Sequence, residues 1–328
     1  MSTVVRATGD WLRSVVAGWN GFWFTPTDPA TLSLIRICIG LMLLYTHLVW
    51  SLGLQEFFGA DAWISSDSLS SEWAWRAAEQ DRLGLYHWSL FQWVRSPVAL
   101  WAIHIASLII FLLLTLGLWS RAVAILAYLA TLNYLHRATG ALFGLDQINV
   151  MLAMYLMLGP CGARYSLDAV LRRRRNSVDL VNPRVNLLVK PSISANLAIR
   201  LIQIHMCVIY FYAGARKLLG STWWDGTAMW ASVGNLEYQT VDLTWLADWP
   251  MFGAFLTHLT VWFEISYFAL VWPKLTRPIV LALAVLMHLG IAFCMGMITF
   301  GLVMLIGNLA FVAPAIVRGC FARNSTAN

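Results

Sequence analysis

Charge is what this sequence has little of. Only 12% of its 328 residues are Asp, Glu, Lys or Arg, against about 25% in soluble globular proteins. Hydrophobic residues reach 59% and mean hydropathy is +0.67, which excludes an ordinary soluble domain and points to one polytopic membrane bundle. Cysteine is scarce too. Cys38, Cys161, Cys207, Cys294 and Cys320 are odd in number, scattered and mostly inside apolar runs, so neither a disulfide framework nor a zinc site is expected. No HxxxH or ExxH pair falls on a single helix, and no metal site is supported. A continuous apolar core is missing from residues 1–24, where Arg6, Asp10 and Arg13 interrupt Val, Leu and Trp, so no cleavable signal peptide is expected. The net charge of +6 reads as membrane topology, with no nucleic-acid partner implied.

Tryptophan is abundant, at 18 residues, and its ring prefers the headgroup layer. Long apolar runs lie near residues 31–52, 97–119, 122–138, 147–160, 196–217, 250–272, 276–296 and 298–317. A helical span needs about 20 apolar residues, a length that the fourth run does not reach. The fold class expected is all-α, a membrane helix bundle of about eight spans.

Basic residues in short cytoplasmic loops orient such spans. With the N-terminus cytoplasmic, the inner side takes Arg6, Arg13, Arg121, Arg164, Arg172, Arg173, Arg174, Arg175, Arg184, Lys190, Lys274, Arg277, Arg318 and Arg323, which is 14 of the 22 basic residues. The outer side takes Arg76, Arg82, Arg95, Arg137, Arg216 and Lys217, leaving Arg36 and Arg200 within spans. This split predicts an even number of spans and cytoplasmic N- and C-termini. Residues 1–26 read as an interfacial segment, with Val4, Val5, Trp11, Leu12, Val15, Val16 and Trp19 at helical spacing. Residues 27–318 form the transmembrane domain, opened by Asp28-Pro29 as cap and first-turn proline, and 319–328 a tail. The four arginines at 172–175 anchor topology. The loops 53–96 and 218–249, rich in Trp, Asp and Gly, fall on the outer side as a lid.

An ionisable group in hydrocarbon costs about 2.5–3.5 kcal/mol on insertion scales and calls for a partner or a role. Counted at about 1.5 Å per residue from the span ends, Arg36 and Glu264 sit at matching depth. An Arg36–Glu264 pair is therefore expected, with Arg200 competing for the carboxylate, as a structural charge group on the side away from Lys217. Six histidines, His47, His104, His136, His205, His258 and His288, fall in or at the runs; their depths suggest a polar cavity opening outward. Gln203, Tyr210 and Lys217 recur every seven residues, on one face with Gly214. Two readings of Lys217 stay open: a side chain snorkelling to the interface, or a desolvated amine acting as a neutral base.

Several stretches resemble the HTTM domain, the membrane portion shared by vitamin K-dependent gamma-glutamyl carboxylases and their bacterial relatives. They are LIRICIGLMLLY (34–45), YAGARKLLGSTWWDG (212–226) and TRPIVLALAVLMHLGIAFCMGMITFGLVML (276–305), with GPCGARYSLD (159–168) typical of bacterial members. The resemblance covers about residues 30–317. It implies an eight-helix bundle with an outward-facing site, the catalytic base at Lys217 beside Arg216, and a family histidine at His288. Gln147, in DQIN (146–149), stands nearest the position of another family histidine; an amide there hydrogen-bonds without titrating. Tyr210, Gln203, His205, Trp223, Trp224 and Asp225 would line the cavity. The implied cofactor is reduced vitamin K or menaquinol, with oxygen and carbon dioxide as co-substrates. In the carboxylases the lysine deprotonates the hydroquinone, and oxygen turns the quinol to an epoxide, generating a stronger base. That base takes a gamma-proton from a peptide glutamate, and carbon dioxide adds. The large extracytoplasmic substrate-binding domain of the carboxylases has no counterpart in the sequence, a compact form expected of a bacterial plasma-membrane protein. Two further function classes compete: a non-enzymatic scaffold or maturation partner for an exported peptide, and a transporter, which lacks the inverted repeats that would support it.

Overall fold

The computed structural model describes residues 2–79, 88–176 and 189–322. Arg82, Arg184, Arg323 and residues 323–328 of the expected tail lie outside the described residues.

Among the described residues the secondary structure is all helical, without a strand. In order come α1 (Ser2–Phe24), α2 (Ala30–Trp50), α3 (Leu54–Phe58), α4 (Ser66–Glu79), α5 (Pro97–Leu116), α6 (Ser120–Arg137) and α7 (Gly144–Leu156). Then follow α8 (Leu167–Asn176), α9 (Ile193–Lys217), α10 (Ser221–Trp224), α11 (Ala228–Val233), α12 (Pro250–Leu270), α13 (Arg277–Cys294), α14 (Ile298–Asn308) and α15 (Pro314–Ala322). Seven of the eight apolar runs each fall largely on one helix, and the run 298–317 is divided between α14 and α15. Among the described residues four helices are both long and apolar enough to cross a membrane: α2 continued through α3 (Ala30–Phe58), α5, α9 and α13. A fifth arises if Ile298–Phe311 and Pro314–Phe321, bent by 111°, count as one span. Polar side chains dilute α6 (Arg121, Asn133, His136, Arg137) and α12 (His258, Glu264). The 13 residues of α7 reach only about 20 Å at 1.5 Å per residue, short of a hydrocarbon core about 30 Å thick.

Local chemistry sets the helix ends. Pro97 opens α5, and Gly117 closes it with φ +70°, a left-handed position that suits glycine. Ser192 caps α9 by accepting the Ala195 N–H at 3.0 Å. The Phe143 N–H donates to the Asp146 carboxylate at 2.9 Å at the start of α7. At the start of α6 the Asp168 carboxylate, brought from α8, accepts the Trp119 and Ser120 N–H groups at 2.9 and 2.8 Å and the Ser120 hydroxyl at 2.7 Å.

The bundle pairs α2 with α5, α6 with α7, α9 with α12 and α13 with α14. One apolar core, including Leu43, Phe111, Leu152, Ile202, Met206 and Val303, joins them. The outward face of α5, with Val98, Ile105, Ile109, Leu112 and Leu116, stays exposed and apolar, compatible with lipid contact. Gly214 governs the α9–α12 contact. A Cβ there would stand 2.7 Å from Ile265 Cγ1 and 3.0 Å from the Ile265 backbone nitrogen, so only glycine admits this approach.

The stagger of that pair fixes the site. Glu264 lies 14 positions after Pro250, roughly 21 Å along α12, yet it faces the last turn of α9. Helix α9 therefore ends well inside the length of α12. The remaining length is taken by the returning chain: the Met229 N–H donates to Thr257 Oγ1 at 3.0 Å, and that hydroxyl lies 3.0 Å from Gly226 O.

Candidate functional site

Lys217 ends α9 and meets α12 one turn beyond Gly214. Its Nζ donates to both oxygens of Glu264, at 2.8 and 2.7 Å. The Glu264 side chain is 8% exposed and that of Lys217 23%, so Lys217 is the more exposed half of the pair. Trp223, on α10, lies over it with the ring centroid 5.1 Å from Nζ, a cation–π distance. Two of the three ammonium N–H bonds point to Glu264, leaving one for the indole face or an incoming group.

Two turns earlier on α9, Tyr210 joins a second, fully buried network. Tyr267 donates its hydroxyl to Asn308 Oδ1 at 2.6 Å. Asn308 Nδ2 donates to Met304 O and to Tyr210 Oη, each at 2.9 Å. A carbonyl only accepts, so the Met304 contact fixes which way the amide faces. The Tyr210 hydroxyl and His288 Nε2 lie 2.7 Å apart, and the direction that leaves the fewest buried groups unpaired has Tyr210 donating. The His288 hydrogen then sits on Nδ1, which is buried and has no partner. An unsatisfied buried donor is uncommon and calls for an explanation. The Tyr210 and Tyr267 rings stack at 3.9 Å, holding the network rigid.

The expected Arg36–Glu264 pair does not form. Glu264 belongs to Lys217, Arg36 donates to Tyr165 O at 2.5 Å, and Arg200 sits over Phe22 of α1 at 4.3 Å and donates to Gln203 Oε1 at 3.0 Å. The depth count assumed helices aligned at their ends, and the α9–α12 stagger breaks that assumption. Glu264 is therefore a member of the Lys217 site and not part of a separate charge group. The histidines also go separate ways. His205 pairs with Tyr155 at 3.0 Å; His104 bridges Ser51 and Tyr134 at 2.8 and 2.7 Å; His136 contacts the Trp88 backbone at 2.9 Å.

Among the other expected lining residues, Gln203 is buried and donates to Ala310 O at 2.7 Å. Arg216, Trp224 and Asp225 are exposed. Trp224 donates its indole N–H to Leu218 O at 2.7 Å, and Asp225 caps its own turn through Thr227. Gln147 is exposed on α7, whereas Asn149, two positions on, is buried with Oδ1 unpaired. Sequence reasoning passed over Tyr267 and Asn308; Asn308 was the more detectable, as the lone amide in the run 298–317. Compared with protein-family models, curated proteins and solved structures, the chain matches none.

Proposed function

We propose that this chain is a multi-pass membrane enzyme of the vitamin K-dependent carboxylase type, with Lys217 as the base that opens quinol oxidation. The observation that carries the proposal is the Lys217–Glu264 pair: the amine of a partly exposed lysine bonded to both oxygens of a nearly buried carboxylate. In water such a pair is ionic. Glu264 sets a proton acceptor within hydrogen-bonding distance of the ammonium on both of its oxygens. Transfer of one proton from Nζ to a Glu264 oxygen, across 2.7 Å, leaves a lone pair on the amine with no rearrangement of the backbone. The amine then takes a proton from an acidic hydroxyl presented beside Trp223. Reduced vitamin K or menaquinol would supply that hydroxyl and the electrons for oxygen. Lys217 and Glu264 would hold and move the proton, Trp223 would shield the pair, and His288 Nδ1 would offer its unused hydrogen to an oxygen of the reactant.

In this account the bundle spans the membrane eight times with both termini cytoplasmic, and the site opens outward in a bacterial plasma membrane. Carbon dioxide and an exported peptide complete the chemistry if the strong base made on quinol oxidation is used for carboxylation. A scaffold or maturation partner is the competing reading, in which Lys217–Glu264 is a clasp between α9 and α12 and nothing more. The two separate in nanodiscs supplied with reduced vitamin K or menaquinol and oxygen, with epoxide read by mass spectrometry. Wild type yields epoxide and Lys217→Arg, which keeps the charge but supplies no neutral amine, does not. No epoxide from folded wild type with either quinol sinks the enzyme and leaves the clasp.

A further inference from the structure

The polar groups that the Lys217 site leaves unused gather elsewhere. Between α2, α6 and α7 lies a cavity of about 150 Å³, the volume that accommodates a benzene-sized molecule. None of Lys217, Glu264, Tyr210, His288 or Asn308 lines it. Its walls are aromatic. The rings of Trp50, Phe58 and Tyr134 stand 5.2, 5.6 and 5.0 Å apart pairwise, and the His47 ring lies 4.5 Å from both Trp50 and Tyr134.

The polar part of the lining accepts hydrogen bonds. His47 Nδ1 lies 2.7 Å from Leu43 O; since that carbonyl only accepts, Nδ1 carries the hydrogen and Nε2 presents a lone pair. His47 Nε2 and Asn149 Oδ1 are both buried without a partner, in residues 1% and 2% exposed. Asp146 lines the cavity as well and uses one carboxylate oxygen to accept the Phe143 N–H at 2.9 Å. Among the described residues no Lys or Arg forms an ion pair with it, and none lines the cavity. The cavity thus sets a carboxylate with no cationic partner among the described residues beside electron-rich ring faces.

We propose that this cavity is a binding site for a small organic ammonium ion, an alkyl or arylalkyl amine about one ring in size. Its N–H donors meet the Asp146 carboxylate, and its carbon body lies against the aromatic wall of Trp50, Phe58 and Tyr134. A neutral alcohol of the same shape brings a single donor and no charge. A carboxylate of the same shape is repelled.

The test titrates para-fluorobenzylammonium, para-fluorobenzyl alcohol and para-fluorobenzoate against the full chain in zwitterionic nanodiscs, read by fluorine NMR with empty nanodiscs as the partition control. A hydrogen bond to a charged group distinguishes the ammonium from the alcohol by about tenfold or more. The expected result is saturable ammonium binding at least about tenfold tighter than the alcohol, with no benzoate binding. Asp146→Asn keeps an acceptor for the Phe143 N–H while removing the charge; it lowers ammonium affinity by about tenfold and leaves the alcohol nearly unchanged. Equal affinities for ammonium and alcohol in wild type overturn the proposal, as does the absence of saturable ammonium binding to folded protein. A folded Asp146→Asn protein that binds the ammonium as wild type does overturns it too. The three-ligand series on wild type decides the matter even if the variant does not fold.

Discussion

Lys217 and Glu264 stand on different helices, 47 positions apart in sequence, with Nζ at 2.8 and 2.7 Å from the two carboxylate oxygens. Removing one member of a buried pair strands the other charge, at a cost of about 3–5 kcal/mol, whereas removing both is close to neutral. With Lys217 still 23% exposed, the lower end of that range applies to Glu264→Gln and the upper end to Lys217→Met, which strands the less exposed carboxylate. Lys217→Met/Glu264→Gln recovers most of the loss. A double-mutant cycle on reversible unfolding in mixed micelles measures this coupling; additive single effects would show that the pair does not hold the helices.

Gly214 makes the pair possible by letting α9 and α12 touch. Gly214→Ala places a Cβ 2.7 Å from Ile265 Cγ1 and destabilises by about 1–3 kcal/mol through overpacking. It also pushes the helices apart, so the Lys217–Glu264 coupling measured in the Gly214→Ala background falls. Unchanged coupling would place the control of that distance elsewhere.

Tyr210 is the hub of the second network. Tyr210→Phe keeps the stacking on Tyr267 but leaves His288 Nε2 and Asn308 Nδ2 each without a partner it has now. About 1–3 kcal/mol of stability is lost for each group so stranded. Thermal unfolding of the variant in nanodiscs checks the loss, and a melting temperature equal to wild type would show the network to be dispensable.

Outside the spans, Asp168 gives a pH signature. Burial pushes its carboxyl up, but the Ser120 N–H, the Ser120 hydroxyl, the Trp119 N–H and the charge of Arg172 outweigh burial, and the net shift is downward. A lowered folded-state value means that the carboxylate stabilises the fold above the unfolded value, about 3.9. That stability is lost as pH falls through the folded value. Asp168→Ala is expected to destabilise by about 1 kcal/mol at neutral pH, and its deficit against wild type shrinks as pH falls from 6 to 3. Melting curves across that range test the sign; a deficit that grows on acidification contradicts it.

The apolar runs announced the helices, and the heptad spacing of Gln203, Tyr210 and Lys217 announced the face of α9 that turns inward. What the spacing could not carry was stagger. A helix pair slides by about 5.4 Å per turn, enough to exchange one carboxylate partner for another, and nothing in 218–249 says that this segment folds back along α12. Arg36 escaped for a different reason: its partner is the backbone carbonyl of Tyr165, and a backbone acceptor leaves no mark in residue types. Gln147 and Asn149 sit two positions apart on α7, about 200° around the helix, and the run DQIN does not by itself say which of the two amides faces inward.

Proton movement by the Lys217–Glu264 pair in quinol oxidation is tested most directly by oxygen uptake in nanodiscs carrying wild type, Lys217→Arg or Glu264→Gln. With reduced vitamin K or menaquinol supplied, wild type should consume oxygen. Both variants should fall by about 10²–10⁴-fold, the usual worth of a positioned base. Oxygen uptake by Lys217→Arg at the wild-type rate would contradict the account.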